Sequence, residues 1–279
     1  MSSARYSHPL DKYLRTEVIP HVMCPGCGNM SIANAFLRAV DKIFGSFEKF
    51  VFVSGIGCAA WIPSPHFKAD TIHTLHGRPI PVAIGVKLAN PDLHVVVISG
   101  DGDLVAIGGN HLIHAARRNA DILVIMVNNF NYGMTGGQLA PTTPHGAITI
   151  TTPYGNPEHE IDVSKIVAEA GANYVARWTI LHQIQLENSF KKALQMEGFR
   201  FIEVLSPCTS RYVPRNFGNL KNILDFFKKN TIDIRVAQRK GSTEGKIVIG
   251  EFVIRDRPGL VRSIQELRSR ALNAWRSSR

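Results

Sequence analysis

A chain of 279 residues with 44% hydrophobic content can bury one substantial core, and no apolar run approaches the roughly 20 residues of a membrane-crossing helix. Four cysteines are too few to staple a chain this long, and MSSARYSHPLDKYL lacks the apolar stretch of a secretory signal; a cytoplasmic protein is expected, with thiols free for metal or redox chemistry. The formal charge of +10 gathers at the C-terminus, where residues 228–279 hold 13 Lys/Arg against 5 Asp/Glu, which suits an acidic protein, another subunit, nucleic acid or a plain solvated helix face.

The segment HVMCPGCGNM at 21–30 sets Cys24 and Cys27 in a Gly/Pro-rich turn. Apolar residues at helical spacing predict a helix over 29–44, with Ser31 at its cap, followed by a short apolar strand at 49–57 that leads to Cys58. A small-residue helix at 81–90, a buried strand at 93–100, a helix at 106–119 and a strand at 121–129 continue the rhythm. Residues 132–160, rich in Gly, Pro and Thr, read as a long irregular connection, a length more often functional than incidental. A helix at 163–172, an extended NYVARW, a helix at 181–198 and a strand at 199–207 complete the alternation. Beyond Cys208 a helix, a strand and a basic helix form a tail. Strands apolar throughout, alternating with helices, imply a three-layer α/β/α fold on a mainly parallel sheet. Three parts are expected: an arm at 1–22, a binding domain at 23–215 and a basic extension at 216–279.

Chemically suggestive residues fall directly after predicted strands: Cys58, the GDGD of 100–103, Asn128 with Asn129, and Cys208. In an open parallel sheet all such loops emerge at the carboxyl edge, where ligands bind. GDGD followed by NN suggests a divalent cation holding a diphosphate. Asp101 and Asn129 offer hard oxygens, and the glycines admit backbone close to phosphate. Spacing alone suits the four cysteines equally to zinc or to an iron–sulfur cluster, with a CxxC dithiol behind both.

Strand, GDGD, helix, strand, NN resembles the thiamine diphosphate-binding motif. That resemblance implies Mg²⁺ held by Asp101, Asn129 and the main-chain oxygen of Asn131. The segments CPGCGN, SGIGC, LHGRPIPVAIGVKLANP, GGNHLIHAARRN, YGMTGGQ and LSPC, in this order over residues 20–212, closely resemble the β subunit of 2-oxoacid:ferredoxin oxidoreductases, the 2-oxoglutarate type in particular. The resemblance implies a [4Fe–4S] cluster on Cys24, Cys27, Cys58 and Cys208. It implies a thiamine diphosphate site lined by Ile56, Gly57, Cys58, His76, Gly102, Asp103, Gly133 and Met134, with His76 as the catalytic candidate; read alone, His76 is more often a core histidine. It further implies a partner α subunit, with or without γ and δ subunits, that completes the active site, and ferredoxin, CoA and a 2-oxoacid as reactants. Cys58, beside the SGIG loop, inclines the thiolate set toward a redox cluster, since zinc there would be structural only. Two positions depart from part of the family, with Trp61 and Gly136 standing where some relatives carry lysines, which leaves the choice of 2-oxoacid open. A thiamine diphosphate decarboxylase with structural zinc is the alternative. A nucleic-acid binder is disfavoured, since no aromatic stacking platform accompanies the basic residues. The tail is a candidate docking aid for an acidic ferredoxin.

Overall fold

The computed structural model describes residues 8–243 and 245–278; the first seven residues of the expected arm, with Glu244 and Arg279 of the tail, lie outside the described residues. Helix α1 (Asn29–Ile43) buries Ile32, Phe36, Leu37 and Val40 along one face. It begins before Ser31, with Gly28 at the cap and no side-chain cap. The reason is local: the Cys24–Cys27 turn, closed by Cys27 N–H donating to Cys24 O at 3.0 Å, hands over a chain already helical at Gly28 (φ −75°, ψ −7°).

Strands β1 (Phe50–Ser54) and β2 (Asp70–His73), helix α2 (Pro79–Ala89) and strand β3 (His94–Gly100) follow. The helix expected at 106–119 divides into a π-helical turn at Gly102–Ile107 and α3 (Gly109–Arg117). Then come β4 (Leu123–Asn128), α4 (Val163–Ala170), β5 (Tyr174–Thr179), α5 (Gln183–Gln195) and β6 (Arg200–Leu205). Residues 132–160 hold no helix or strand. The C-terminal part is richer than the sequence suggests: α6 (Tyr212–Asn216), α7 (Leu220–Asn230), β7 (Thr231–Asp233), α8 (Ile234–Lys240), β8 (Ile247–Ile254) and α9 (Leu260–Ser277).

The eight strands form one sheet in the order β2-β1-β3-β4-β6-β5-β8-β7, parallel throughout except for β5 against β8. Alternate strand residues feed two cores: Val96, Ile98, Leu123 and Ile125 pack with α1 and α5 on one face, and Val95, Val97, Val124 and Met126 pack with α2, α3 and α4 on the other. The result is a three-layer α/β/α fold. Phe36, ringed by Phe52, Phe67 and Phe190 at centroid distances of 5.4–6.4 Å, anchors the first core; truncating such a side chain costs about 3–5 kcal/mol.

From β1 the chain passes to β2 on one side, while β3 lies on the other, so the loops leaving β1 and β3 diverge and open a crevice at the carboxyl edge. Helix α9 starts at the opposite edge, where Leu260 N–H donates to Asn119 O at 3.0 Å and Val261 N–H to Asp121 Oδ2 at 2.8 Å. From Gln265 onward its described residues are exposed. The root of the basic helix therefore lies at the edge opposite the loops that carry the cysteines.

Candidate active site and metal centre

The crevice is lined by Ile56, Gly57, Cys58, His76, Asp101, Gly102, Asp103, Asn129, Asn131, Gly133 and Met134 among others, so eleven residues expected from separate loops converge. His76 arrives there because β2, which the sequence pattern does not reveal, runs parallel to β1 and ends three residues earlier. The loop after β1 needs Gly57, whose φ of 125° and ψ of −178° belong to a region essentially reserved for glycine.

Asp103 is the hub of these loops. Its Oδ1 accepts from Gly77 N–H at 2.7 Å and Ile56 N–H at 3.2 Å, and its Oδ2 from the Ser99 hydroxyl at 2.8 Å. His76 Nδ1 stands 2.6 Å from Oδ1, off the line of a hydrogen bond, and is an electrostatic contact only. Gly55 has to be glycine here, since a Cβ would sit 2.0 Å from Asp103 Oδ2. The carboxylate is thus spent on holding the crevice together, although the residue lines it.

Asp101 differs. It is fully buried, its one side-chain partner is the Thr142 hydroxyl, and burial pushes its carboxyl up to about 7. A buried carboxyl without a cation fits a divalent ion. Asn131 adds a second unmet group: its Nδ2 donates to Asn129 O at 2.8 Å, which fixes the amide's orientation and leaves Oδ1 buried without a partner. Between the two asparagines Phe130 has φ 63°, an outlier for so bulky a residue. Its ring packs on Tyr212 and Phe227 at 5.3 and 6.5 Å, and its carbonyl accepts from the Thr143 hydroxyl at 2.7 Å. Gly102 has to be glycine as well, since a Cβ would strike the Tyr132 ring at 2.4 Å. Tyr132, Thr142 and Thr143 sit in the irregular connection and have no periodic signal; only the unusual length of that loop marks them.

The four cysteines are free and gather beside the crevice. The Cys24–Cys27 turn is clipped to the loop of Cys208 by the Thr209 hydroxyl, which donates to Pro25 O at 3.0 Å. Burial, then the charges of Cys208, Cys27 and Cys24, push the Cys58 thiol up to about 11; burial also raises Cys27. Cys27 and Cys58, whose thiols resist ionisation among their cysteine neighbours, fit a cationic iron core that would discharge them. Among the described residues no three His, Cys, Asp or Glu side chains converge on one ion. Gly133 joins the two halves: a Cβ there would lie 3.3 Å from Cys208 Sγ, 3.5 Å from Asn131 Oδ1 and 3.7 Å from Asn129 Nδ2. A larger groove of about 380 Å³ between α5 and β8 has its charges paired off, Lys192 with Glu251 and Arg235 with Asp233.

Residues 55–204 match the family model of the thiamine pyrophosphate enzyme C-terminal TPP-binding domain. The 2-oxoglutarate synthase subunit KorB of Methanocaldococcus jannaschii is 48% identical over 93% of this chain and 97% of its own. The chain belongs to the β-subunit family of 2-oxoacid:ferredoxin oxidoreductases. The β subunit of a 2-oxoacid:ferredoxin oxidoreductase from Saccharolobus solfataricus is 43% identical over 66% of this β subunit and 61% of its own length. The 2-oxoglutarate:ferredoxin oxidoreductase of Magnetococcus marinus, solved with 2-oxoglutarate, coenzyme A and succinyl-CoA bound, superposes with a TM-score of 0.83 at 32% identity, covering 96% of this chain and 91% of that one. The β-subunit family accounts for the pairing of a thiamine pyrophosphate domain with a ferredoxin-linked activity in one fold.

Proposed function

We propose that this β subunit, with an α subunit, catalyses the CoA-dependent oxidative decarboxylation of a 2-oxoacid, 2-oxoglutarate above others, to the acyl-CoA and CO₂. Two electrons leave singly through a [4Fe–4S] cluster to ferredoxin, in the cytoplasm. The observation that carries this reading is the shared wall of the crevice, which Asp101, Asn129 and Cys58 all line, with Gly133 against both Cys208 and Asn129.

Asp101, Asn129 and the main-chain oxygen of Asn131 would hold Mg²⁺, and Ile56, Gly57, Cys58, His76, Gly102, Asp103, Gly133 and Met134 would face thiamine diphosphate. When bound, the cofactor supplies carbanion chemistry at the 2-oxoacid carbonyl carbon. His76 lies on the crevice wall with its Nδ1 2.6 Å from Asp103 Oδ1, and its ring would be the group able to hold or pass a proton there through Nε2. Tyr132, its hydroxyl donating to Gly102 O at 3.2 Å, braces the loop that admits the diphosphate. Cys24, Cys27, Cys58 and Cys208 would hold the cluster, which would supply one-electron transfer.

The test is anaerobic co-production with the α subunit and an assay of ferredoxin reduction. Reduction requiring CoA, with kcat/KM for 2-oxoglutarate at least tenfold above that for pyruvate, is expected. Aldehyde release without any electron acceptor would replace the proposal with a non-redox decarboxylase.

A further inference from the structure

We infer that Asn128, the first of the paired asparagines, is a positioning residue that, together with Glu203, sets the turn presenting the Mg²⁺ ligands. The inference rests on the reading of Asp101, Asn129 and Asn131 as those ligands.

Asn128 does not line the crevice; it lines the cavity on the other side of the loop, with Arg177 and Glu203. It ends β4, opposite Leu205 of β6. Its Oδ1 accepts from Phe130 N–H at 3.2 Å, and its Nδ2 donates to Glu203 Oε1 at 2.8 Å. The first bond closes a local turn over Asn129, where Phe130 takes its costly left-handed conformation. Phe130 thereby goes into the apolar cluster with Tyr212 and Phe227, while Asn129 and Asn131, its neighbours on either side, line the crevice.

The second bond fixes which end of the Asn128 amide faces Phe130. Glu203, 2% exposed, has its other oxygen committed to the Ser164 hydroxyl at 2.6 Å and Arg177 Nε at 2.7 Å. Arg177 is in turn held by Asp162 and by Val248 O at 3.2 Å, with its guanidinium 5.2 Å from the Phe252 ring centroid. A chain of buried polar contacts therefore runs from β8, through β5 and β6, to the metal loop. Glu203 can only accept from Asn128, so Asn128 can only offer oxygen to Phe130 N–H.

That logic dictates the test. In Glu203→Gln the new amide either faces Arg177 with a donor or forces the Asn128 amide to turn its NH₂ on Phe130 N–H. In Asn128→Asp two carboxylates meet. The double variant Asn128→Asp/Glu203→Gln keeps shape and total charge and satisfies every bond, since the carboxylate introduced on β4 would accept from both Phe130 N–H and the glutamine NH₂. Mg²⁺ half-saturation of thiamine diphosphate binding is measured on the anaerobic complex with the α subunit, together with iron content and melting temperature. Each single variant is expected to raise the half-saturation concentration about tenfold or more, and the double to return within about threefold of the parent, with iron content unchanged. Ser164→Ala, which loosens Glu203 without changing the amide's direction, is expected to lower the melting temperature and leave Mg²⁺ half-saturation alone. Parent-like Mg²⁺ binding by both singles, no recovery in the double, or equal weakening in Ser164→Ala would overturn the inference. If a single variant does not fold, the double decides by itself. A parent complex whose thiamine diphosphate binding ignores Mg²⁺ would instead refute the metal site itself.

Discussion

Asp101 and Asp103 are buried carboxylates two residues apart, and removing each should have opposite consequences. Asp103 accepts three hydrogen bonds, from Gly77, Ile56 and Ser99; bonds to a charged group contribute about 1.5–3 kcal/mol each. Asp103→Ala breaks all three and leaves the Gly77 N–H buried and unmet, a loss of about 4.5–9 kcal/mol, or roughly 10–35 °C in melting temperature for a chain of this size. Asp101 instead raises the free energy of the folded, metal-free state, because burial lifts its carboxyl from 3.8 to about 7. At about 1.4 kcal/mol per pKa unit, keeping it ionised costs up to about 4 kcal/mol above pH 7. The sign follows from linkage: a raised carboxyl pKa is a contribution retained below pH 4 and lost as pH climbs toward 7. Asp101→Asn should therefore raise the metal-free melting temperature by a few degrees at pH 5, where about 1–2 kcal/mol is already lost, and by about twice as much or more at pH 8, while abolishing Mg²⁺-dependent thiamine diphosphate binding. The assay is a thermal melt of chelator-treated and Mg²⁺-loaded complex at both pH values. A metal-free Asp101→Asn that melts well below the parent at pH 8, or an Asp103→Ala that melts with the parent, would refute the division of labour between the two residues.

Glu187 meets Arg38 at 2.8 Å, Lys42 at 2.6 Å and Lys191 at 3.1 Å, and despite its burial these three cations bring its carboxyl down to about 2. A depressed carboxyl pKa contributes stability above its unfolded value and loses it on acidification, here between about pH 4.5 and 2; with partly exposed, screened partners the amount is about 1–2 kcal/mol. Glu187→Gln should flatten that part of the acid-unfolding curve, and an unaltered curve would contradict the assignment. Gly133→Ala places a methyl against Cys208 Sγ and should lower the cluster's reduction potential by excluding water from an anionic centre; a potential titration identical to the parent's would count against the contact. Because α9 is rooted at the edge away from the cysteines, the double variant Arg268→Glu/Arg270→Glu should keep the KM for ferredoxin within about twofold of the parent's. A rise of tenfold that vanishes at high salt would restore the tail as a docking element.

The strands of the central sheet were legible because they are apolar throughout, and their ends marked Cys58, Asp101, Asn129 and Cys208 as neighbours. β2 was not legible, since DTIH is short and largely exposed; yet β2 is what places His76. β7 and α8 were hidden for the same reason, with three half-buried strand residues and a helix only seven residues long. The apolar pattern of β8 predicted a strand but could not say that it would run antiparallel beside β5. Within the site, residues that would touch a ligand announce themselves by type and spacing. Those that hold them in place do not. Asp103 is marked as a cofactor contact by its place inside the motif, but nothing in the sequence shows that its oxygens also tie together Gly77, Ile56 and Ser99. Glu203 and Arg177 lie within strands that the pattern marks only as extended or apolar, and only the fold shows that they face each other.

The central claim is that the crevice and the cysteines form one electron-transfer unit. It is tested most directly by adding 2-oxoglutarate and CoA to the anaerobically purified complex with its α subunit and recording the EPR spectrum, alongside the Asp101→Asn and Cys58→Ala variants. The account predicts about four iron atoms per β subunit beyond those of any other subunit and a reduced-cluster signal on substrate addition. It predicts a cluster that is present but unreduced by substrate in Asp101→Asn, and lost in Cys58→Ala. Stoichiometric zinc in place of that iron, or substrate reduction undiminished in Asp101→Asn, would contradict it.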